Sequence, residues 1–236
     1  MGTFHPNAQC QLKMEARLPL TPFFGHYTVP VNIDGRDYPM MVDTGAMKTM
    51  LTPAVINTLA PRTEQSQAQR VTGVDTDAQS QYAHIVPSLK LGPSEWKNLN
   101  VLTGMWPPPR LQTRPNAPVG LIGADVLSRY DVEFDFPAKQ MTLYTAQDCL
   151  GWFAPWQGEY YEYFPQTVRH GLFVLPVALN GHQARAVLDT GATRTVVTKS
   201  VAFAAGVQPV ALAQAPQQVS MGVQANAFRT TSTASI

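Results

Sequence analysis

Charge is scarce in this chain. Of its 236 residues only 14% are Asp, Glu, Lys or Arg, and the formal net charge is +1. With no basic run and no positive excess, the composition excludes a protein that tracks nucleic-acid phosphates. Long apolar runs are missing too, so no membrane-spanning helix is expected. The opening "MGTFHPNAQCQ" has no apolar h-region; Met-Gly-Thr reads as a start followed by cloning residues, and an export signal already removed would leave no trace. Two cysteines cannot build a structural zinc site unaided, and the five histidines show no HExxH spacing, so no metal is expected. There is no GxSxG elbow, and "GLIGAD" is not a GxGxxG phosphate loop. Serine-hydrolase and dinucleotide-binding chemistry are therefore out, and no cofactor is expected.

What the chain does have is a repeat. "MVDTGAMKTMLTP" begins at Met41 and "VLDTGATRTVVTK" begins at Val187. At a fixed offset of 146, Asp43 meets Asp189. The register holds without a gap from Gly25 with Gly171, through Pro30 with Pro176 and Gly35 with Gly181, to Thr52 with Thr198 and Val55 with Val201. Lys48 meets Arg194 and Ile33 meets Leu179. A period this long is not a solenoid; each copy is expected to be a lobe.

Each copy predicts the same local structure. "YTVPVNI" and "RDYPMMV" are strands joined by Asp34 and Gly35; "LFVLPVAL" and "HQARAVL" are strands joined by Asn180 and Gly181. Asp-Gly and Asn-Gly suit type I′ turns, whose two central residues need φ > 0. Each hairpin thus delivers an aspartate to the end of an apolar strand. A short helix is expected after each, at "PAVINTLA" and "KSVAFAAG". Elsewhere, 69–89 reads as a hairpin tipped at Gly73, "KLGPSEWKNLNVLT" as a strand pair, and "MWPPPRLQTRPNAP" as an irregular surface loop. The stretch from Val119 holds an apolar pair before Gly123, a short helix, and strands at 132–136 and 141–144. The aromatics of "LGWFAPWQGEYYEYFPQ" are expected to pack where the halves join. His26, His84, His170 and His182 read as surface or strand-edge residues.

A carboxylate at the end of a buried strand is poorly solvated. Two such groups at a pseudo-twofold axis cannot both ionise easily, so they share one proton and their pKa values split. One can then act as base on a water while the other acts as acid towards a carbonyl. Thr44 and Thr190 suit a supporting role, each hydroxyl reaching across to the other loop.

These features resemble the aspartic peptidases, retropepsin-like ones in particular. The residues that carry the resemblance are the two Asp-Thr-Gly-Ala copies after apolar strands, the glycine-tipped hairpin, and "LIGADVL" at 121–127. The similarity is nearest to bacterial exported proteins with tandem retropepsin-like domains. It implies a mainly β fold of two pseudo-twofold-related lobes, the second incomplete. The expected divisions are a first lobe at 10–148, a linker at 149–165 and a second lobe at 166–236. It further implies an aspartic endopeptidase with Asp43 and Asp189 as the catalytic pair. Thr44, Gly45, Ala46, Thr190, Gly191 and Ala192 would form the loops around them. Gly73 and Val74 would tip one substrate-covering flap, and Gly222 and Val223 the other. Leu121, Ile122 and Gly123 would support the first aspartate's loop.

The second copy contains no partner for "GLIGADVL". Either the sequence is truncated or another chain completes the lobe, and a homodimer is the further alternative. Peptide or unfolded protein is the expected substrate, and the expected location is periplasmic or secreted. A duplicated module that binds peptides without cleaving them is the competing reading. Cys10 and Cys149 flank the first copy; they form either a disulfide closing that half or two unpaired thiols.

Overall fold

The computed structural model of the chain describes residues 11–59, 65–71, 79–104, 106–149, 156, 159, 161, 163, 167–169, 171–221 and 227–231. The architecture is mainly β, as expected. The first half begins with β1 (Gln11–Pro19), β2 (Thr21–Phe23), β3 (His26–Ile33), β4 (Arg36–Val42) and β5 (Met50–Leu51). Helix α1 (Pro53–Leu59) follows, then β6 (Gln65–Val71), β7 (Gln79–Leu91), β8 (Ser94–Thr103), α2 (Pro109–Gln112), β9 (Gly120–Ile122) and α3 (Ala124–Leu127). Strands β10 (Asp131–Asp135) and β11 (Gln140–Gln147) close the half.

Eight of these strands form one sheet in the order β2-β3-β4-β9-β5-β8-β7-β6, and a further pairing of β3 with β7 rolls it towards a barrel. Strands β1, β11 and β10 make a separate sheet beside it. Alternation along β3 turns Val29, Val31 and Ile33 inward and leaves Pro30 outside, where a missing N–H is harmless. These side chains pack with Leu89, Val101 and Ile122 in one continuous core. Each fully buried aliphatic side chain there contributes roughly 1.5–3 kcal/mol.

Strand β9 threads between the two strands that flank the first Asp-Thr-Gly. It runs parallel to β4, pairing Leu121 with Met41, and antiparallel to β5, pairing Leu121 with Met50. This is how an apolar-apolar-Gly segment far along the chain comes to lie behind the Asp43 loop.

The second half comprises β12 (Thr167–Arg169), β13 (Leu172–Leu179), β14 (His182–Val187), α4 (Lys199–Ala204), α5 (Pro209–Gln214), β15 (Gln217–Met221) and β16 (Ala227–Thr231). Both hairpin turns have the geometry their residues call for: φ is +48° and +87° at Asp34 and Gly35, and +48° and +77° at Asn180 and Gly181. The two halves then diverge. Nothing among the described residues takes the place of β9, and the apolar residues it would cover stand open. Val42 is 2% exposed but its repeat partner Leu188 is 51% exposed; Leu51 is 0% exposed but Val197 is 47%.

Three sequence readings need correction. The proline-rich loop is not wholly on the surface: it carries α2, and Trp106 is buried against Phe23, Met41 and Leu121. The described aromatics of the linker, Trp156, Tyr161 and Tyr163, are exposed rather than packed at a junction. Trp156 Nε1 instead donates to Glu133 Oε1 at 2.6 Å, which anchors an amphipathic ring at the surface. His26 is not a surface residue either, for reasons given below. Cys149 is disulfide-bonded; Cys10 lies outside the described residues.

Candidate active site

The β3–β4 hairpin ends at Val42, and its turn-closing contacts place Asp43 on the loop that follows. The Asp43 N–H donates to Ile122 O at 3.0 Å, so β9 fixes where the loop leaves the sheet. The Asp43 carboxylate then folds back on its own loop. Oδ1 accepts from the N–H groups of Gly45 at 2.9 Å and Ala46 at 3.0 Å. The second copy repeats this: Asp189 Oδ1 accepts from Gly191 at 2.8 Å and Ala192 at 3.1 Å. An Asp-x-Gly-Ala turn makes this geometry locally, which is why both copies adopt it.

The two loops meet through their threonines. The Thr44 N–H donates to Thr190 Oγ1 at 3.1 Å, and the Thr190 N–H donates to Thr44 Oγ1 at 3.0 Å. Each hydroxyl in turn donates across the junction, Thr44 to Leu188 O at 2.7 Å and Thr190 to Val42 O at 2.8 Å. Every hydroxyl accepts one bond and donates one, so the pseudo-twofold network is fully used. Both aspartates are thereby brought together within one chain.

Their closeness is visible in the glycines. A β-carbon at Gly45 would lie 2.6 Å from Asp189 Oδ1, and one at Gly191 would lie 2.6 Å from Asp43 Oδ1. Each Asp-Thr-Gly glycine is the floor on which the opposite carboxylate rests, and no other residue leaves that space.

Electrostatically the pair is uneven. Asp43 is only 7% exposed, whereas Asp189 stands exposed on the open second lobe. Burial, followed by the charge of Asp189 and a hydrogen bond to it, pushes Asp43 up to about 7 from 3.8; the Gly45 and Ala46 N–H groups oppose the shift without cancelling it. Burial therefore favours the protonated form of Asp43.

Support for the first loop comes from behind. Gly123 packs so closely that a β-carbon there would lie 2.8 Å from Lys48 O and 2.9 Å from Ala46 O. Asp125, at the start of α3, accepts from the Thr49 N–H at 2.9 Å and the Thr49 hydroxyl at 2.7 Å, and Lys48 Nζ lies 3.8 Å from its other oxygen. Leu121 and Ile122 are fully buried beneath the same loop.

His26 is the residue that sequence reasoning missed. It opens β3, its ring meets Trp106 edge-on at 4.9 Å, and its Nδ1 is buried with no hydrogen-bond partner. Burial lowers its pKa, although the Gly191 backbone and the charge of Asp189 both favour the protonated form. A neutral imidazole therefore borders the pair at neutral pH. The available signal was a break in the repeat, since the partner of His26 is the aliphatic Leu172. The flap residues Gly73, Val74, Gly222 and Val223 lie outside the described residues; what is described is that β6 pairs with β7, and β15 with β16, on either side of those tips. No group of His, Cys, Asp and Glu among the described residues could hold a metal ion. No helix among them is long and apolar enough to cross a membrane.

Two family models match separate parts of the chain. Residues 29–126 match the "Aspartyl protease" family model, and residues 175–236 match the "gag-polyprotein putative aspartyl protease" model. No curated protein matches the chain. Among solved structures, a retropepsin-like aspartic protease from Rickettsia conorii is 16% identical over 61% of this chain and 98% of its own, with a TM-score of 0.40. The EIAV protease in complex with the inhibitor HBY-793 is 22% identical over 44% of this chain and 86% of its own, with a TM-score of 0.29.

Proposed function

We propose that this chain, both of whose halves match aspartyl protease models, is an aspartic endopeptidase that carries both aspartates of its site on one polypeptide. The observation that carries the reading is the pair of Asp-Thr-Gly loops locked face to face by the Thr44 and Thr190 hydrogen bonds. The uneven burial assigns the roles. Asp189, the more solvated carboxylate, takes a proton from a water as that water attacks the scissile carbonyl carbon. Asp43, protonated, delivers its proton to the carbonyl oxygen, giving a neutral diol. On collapse, a diol hydroxyl returns its proton to Asp43 and Asp189 protonates the departing amine. The substrate is an extended peptide or unfolded protein segment, laid across the junction of the two Asp-Thr-Gly loops. The disulfide at Cys149 supports an oxidising compartment, periplasmic or secreted.

The open second lobe favours a second reading, a module that binds peptides without cleaving them, because Asp189 lacks the enclosure that Asp43 has. Incubation with a denatured protein between pH 4 and 7, read by mass spectrometry, separates the two. Cleavage that disappears in both Asp43→Asn and Asp189→Asn supports the peptidase. Cleavage that persists in either variant sinks it, and saturable peptide binding without cleavage selects the binding module.

A further inference from the structure

A tight turn of the first lobe reaches across to the second Asp-Thr-Gly loop. Phe24 and Gly25 join β2 to β3 with φ of +47° and +84°. A left-handed backbone is costly for a side chain as bulky as phenylalanine, and such strain persists only where the surroundings enforce it. Here the surroundings include the second lobe. A β-carbon at Gly25 would lie 3.0 Å from Thr193 Cγ2, so the turn rests beside the second loop. The next residue, His26, is thereby delivered to that loop. The backbone of Gly191 lies against its imidazole as a hydrogen-bond acceptor, and Asp189 is the charge that acts on the ring.

The ring is braced from within the first lobe. Trp106 meets it edge-on at 4.9 Å, and Phe23 meets Trp106 at 6.5 Å in the same buried cluster. Nδ1 is buried without a hydrogen-bond partner. A neutral imidazole has a single N–H, which Gly191 can receive; a charged one would bring a second with nothing among the described residues to accept it. The contact has no counterpart on the other side of the pseudo-twofold, where the repeat partner of His26 is Leu172, a side chain with no proton to donate. What the contact reaches is the peptide that sets the second carboxylate. The Gly191 and Ala192 N–H groups both donate to Asp189 Oδ1, at 2.8 and 3.1 Å, so a shift of Gly191 shifts Asp189.

We infer that His26 is a positioning residue for Asp189: its neutral imidazole, carried on the first lobe and braced by Trp106, holds the Gly191 peptide and so keeps the second carboxylate aligned with the first. The inference rests on the proposed hydrolysis for what Asp189 does, but the positioning itself can be read without turnover.

The test compares the parent chain with His26→Leu, the residue found in the second copy, and His26→Gln, whose amide keeps an N–H donor. By NMR, the Gly191 and Ala192 amides of His26→Leu should exchange about tenfold faster, roughly the worth of one hydrogen bond, while Gly45 and Ala46, which hold Asp43 in the same way, stay within about twofold. For a peptide that the parent cuts, kcat should fall about tenfold or more with KM within about threefold, because a misaligned carboxylate weakens the chemical step more than binding. His26→Gln should recover most of both. A further measurement needs no substitution: proton–nitrogen correlation spectra of the parent at pH 7 should show a neutral His26 held in one tautomer. Unchanged exchange or kcat in His26→Leu, equal acceleration at both loops, a glutamine variant as impaired as the leucine one, or a charged or tautomer-averaging ring each overturns the inference. If the parent cuts no peptide, the proposed hydrolysis fails, and the exchange and tautomer measurements alone decide for or against His26.

Discussion

Replacing Thr190 by valine tests whether the lobes are held by the threonine network. The isosteric change deletes one acceptor and one donor. It orphans the Thr44 N–H, now bonded at 3.1 Å, and the Val42 carbonyl, now bonded at 2.8 Å. Two net hydrogen bonds are worth about 1 kcal/mol each, and leaving a half-buried carbonyl unsatisfied adds about 1 more, so the expected loss is roughly 2–3 kcal/mol. Valine's methyl group recovers little, because it faces polar groups on both sides. The reciprocal bond from the residue 190 N–H to Thr44 Oγ1 survives the substitution and reports on lobe separation. Its exchange rate should rise about 30-fold for 2 kcal/mol, at 1.36 kcal/mol per factor of ten. Thr190→Ser keeps the hydroxyl and should restore most of the protection. Native-state hydrogen exchange followed by mass spectrometry or NMR provides the readout. If Thr190→Val leaves that amide within twofold of the parent while global stability is unchanged, the lobes are joined by something else.

Other consequences follow from the same geometry. Asp43 binds its proton more tightly when folded than the free carboxyl does, so the folded state carries the extra proton between about pH 4 and 7 and its stability falls as pH rises through that window. Asp43→Asn should remove this slope, and thermal melts should show it stabilising the chain at pH 7.5 more than at pH 4; parallel curves for parent and variant would contradict the assignment. Gly45→Ala should cost far more than Gly35→Ala in urea unfolding. The first drives a methyl into Asp189, whereas the second only places a β-carbon at positive φ in open space, costing about 1–2 kcal/mol. Asp125→Ala should destabilise the first lobe by about 2–4 kcal/mol, because it strands the Thr49 N–H and hydroxyl behind the loop; an unchanged urea midpoint would show that β9 needs no such tie.

Much of this arrangement is written locally. Asp34-Gly35 and Asn180-Gly181 dictate their turns because few other residue pairs tolerate two positive φ values in succession. The Asp-x-Gly-Ala loops close on their own N–H groups, and α1 and α4 start where the repeat predicts. Those features depend on neighbours in sequence, and the repeat doubled the signal. The buried tryptophan of the proline-rich loop was not legible, since its partners Phe23, Met41 and Leu121 are distant in sequence and only the rolled sheet gathers them. His26 was missed for the same reason: a histidine at a strand start looks exposed until Trp106 and the second lobe's Gly191 close around it.

The sequence by itself therefore determined the duplication, the two hairpins and the identity of the paired aspartates, because each follows from short-range stereochemistry repeated at one offset. Only the tertiary structure decided that the two loops interlock within a single chain and that Asp43 is enclosed while Asp189 is exposed. Burial and proton sharing belong to the space between segments, and around Asp43 that space exists only once β9 has been laid between β4 and β5.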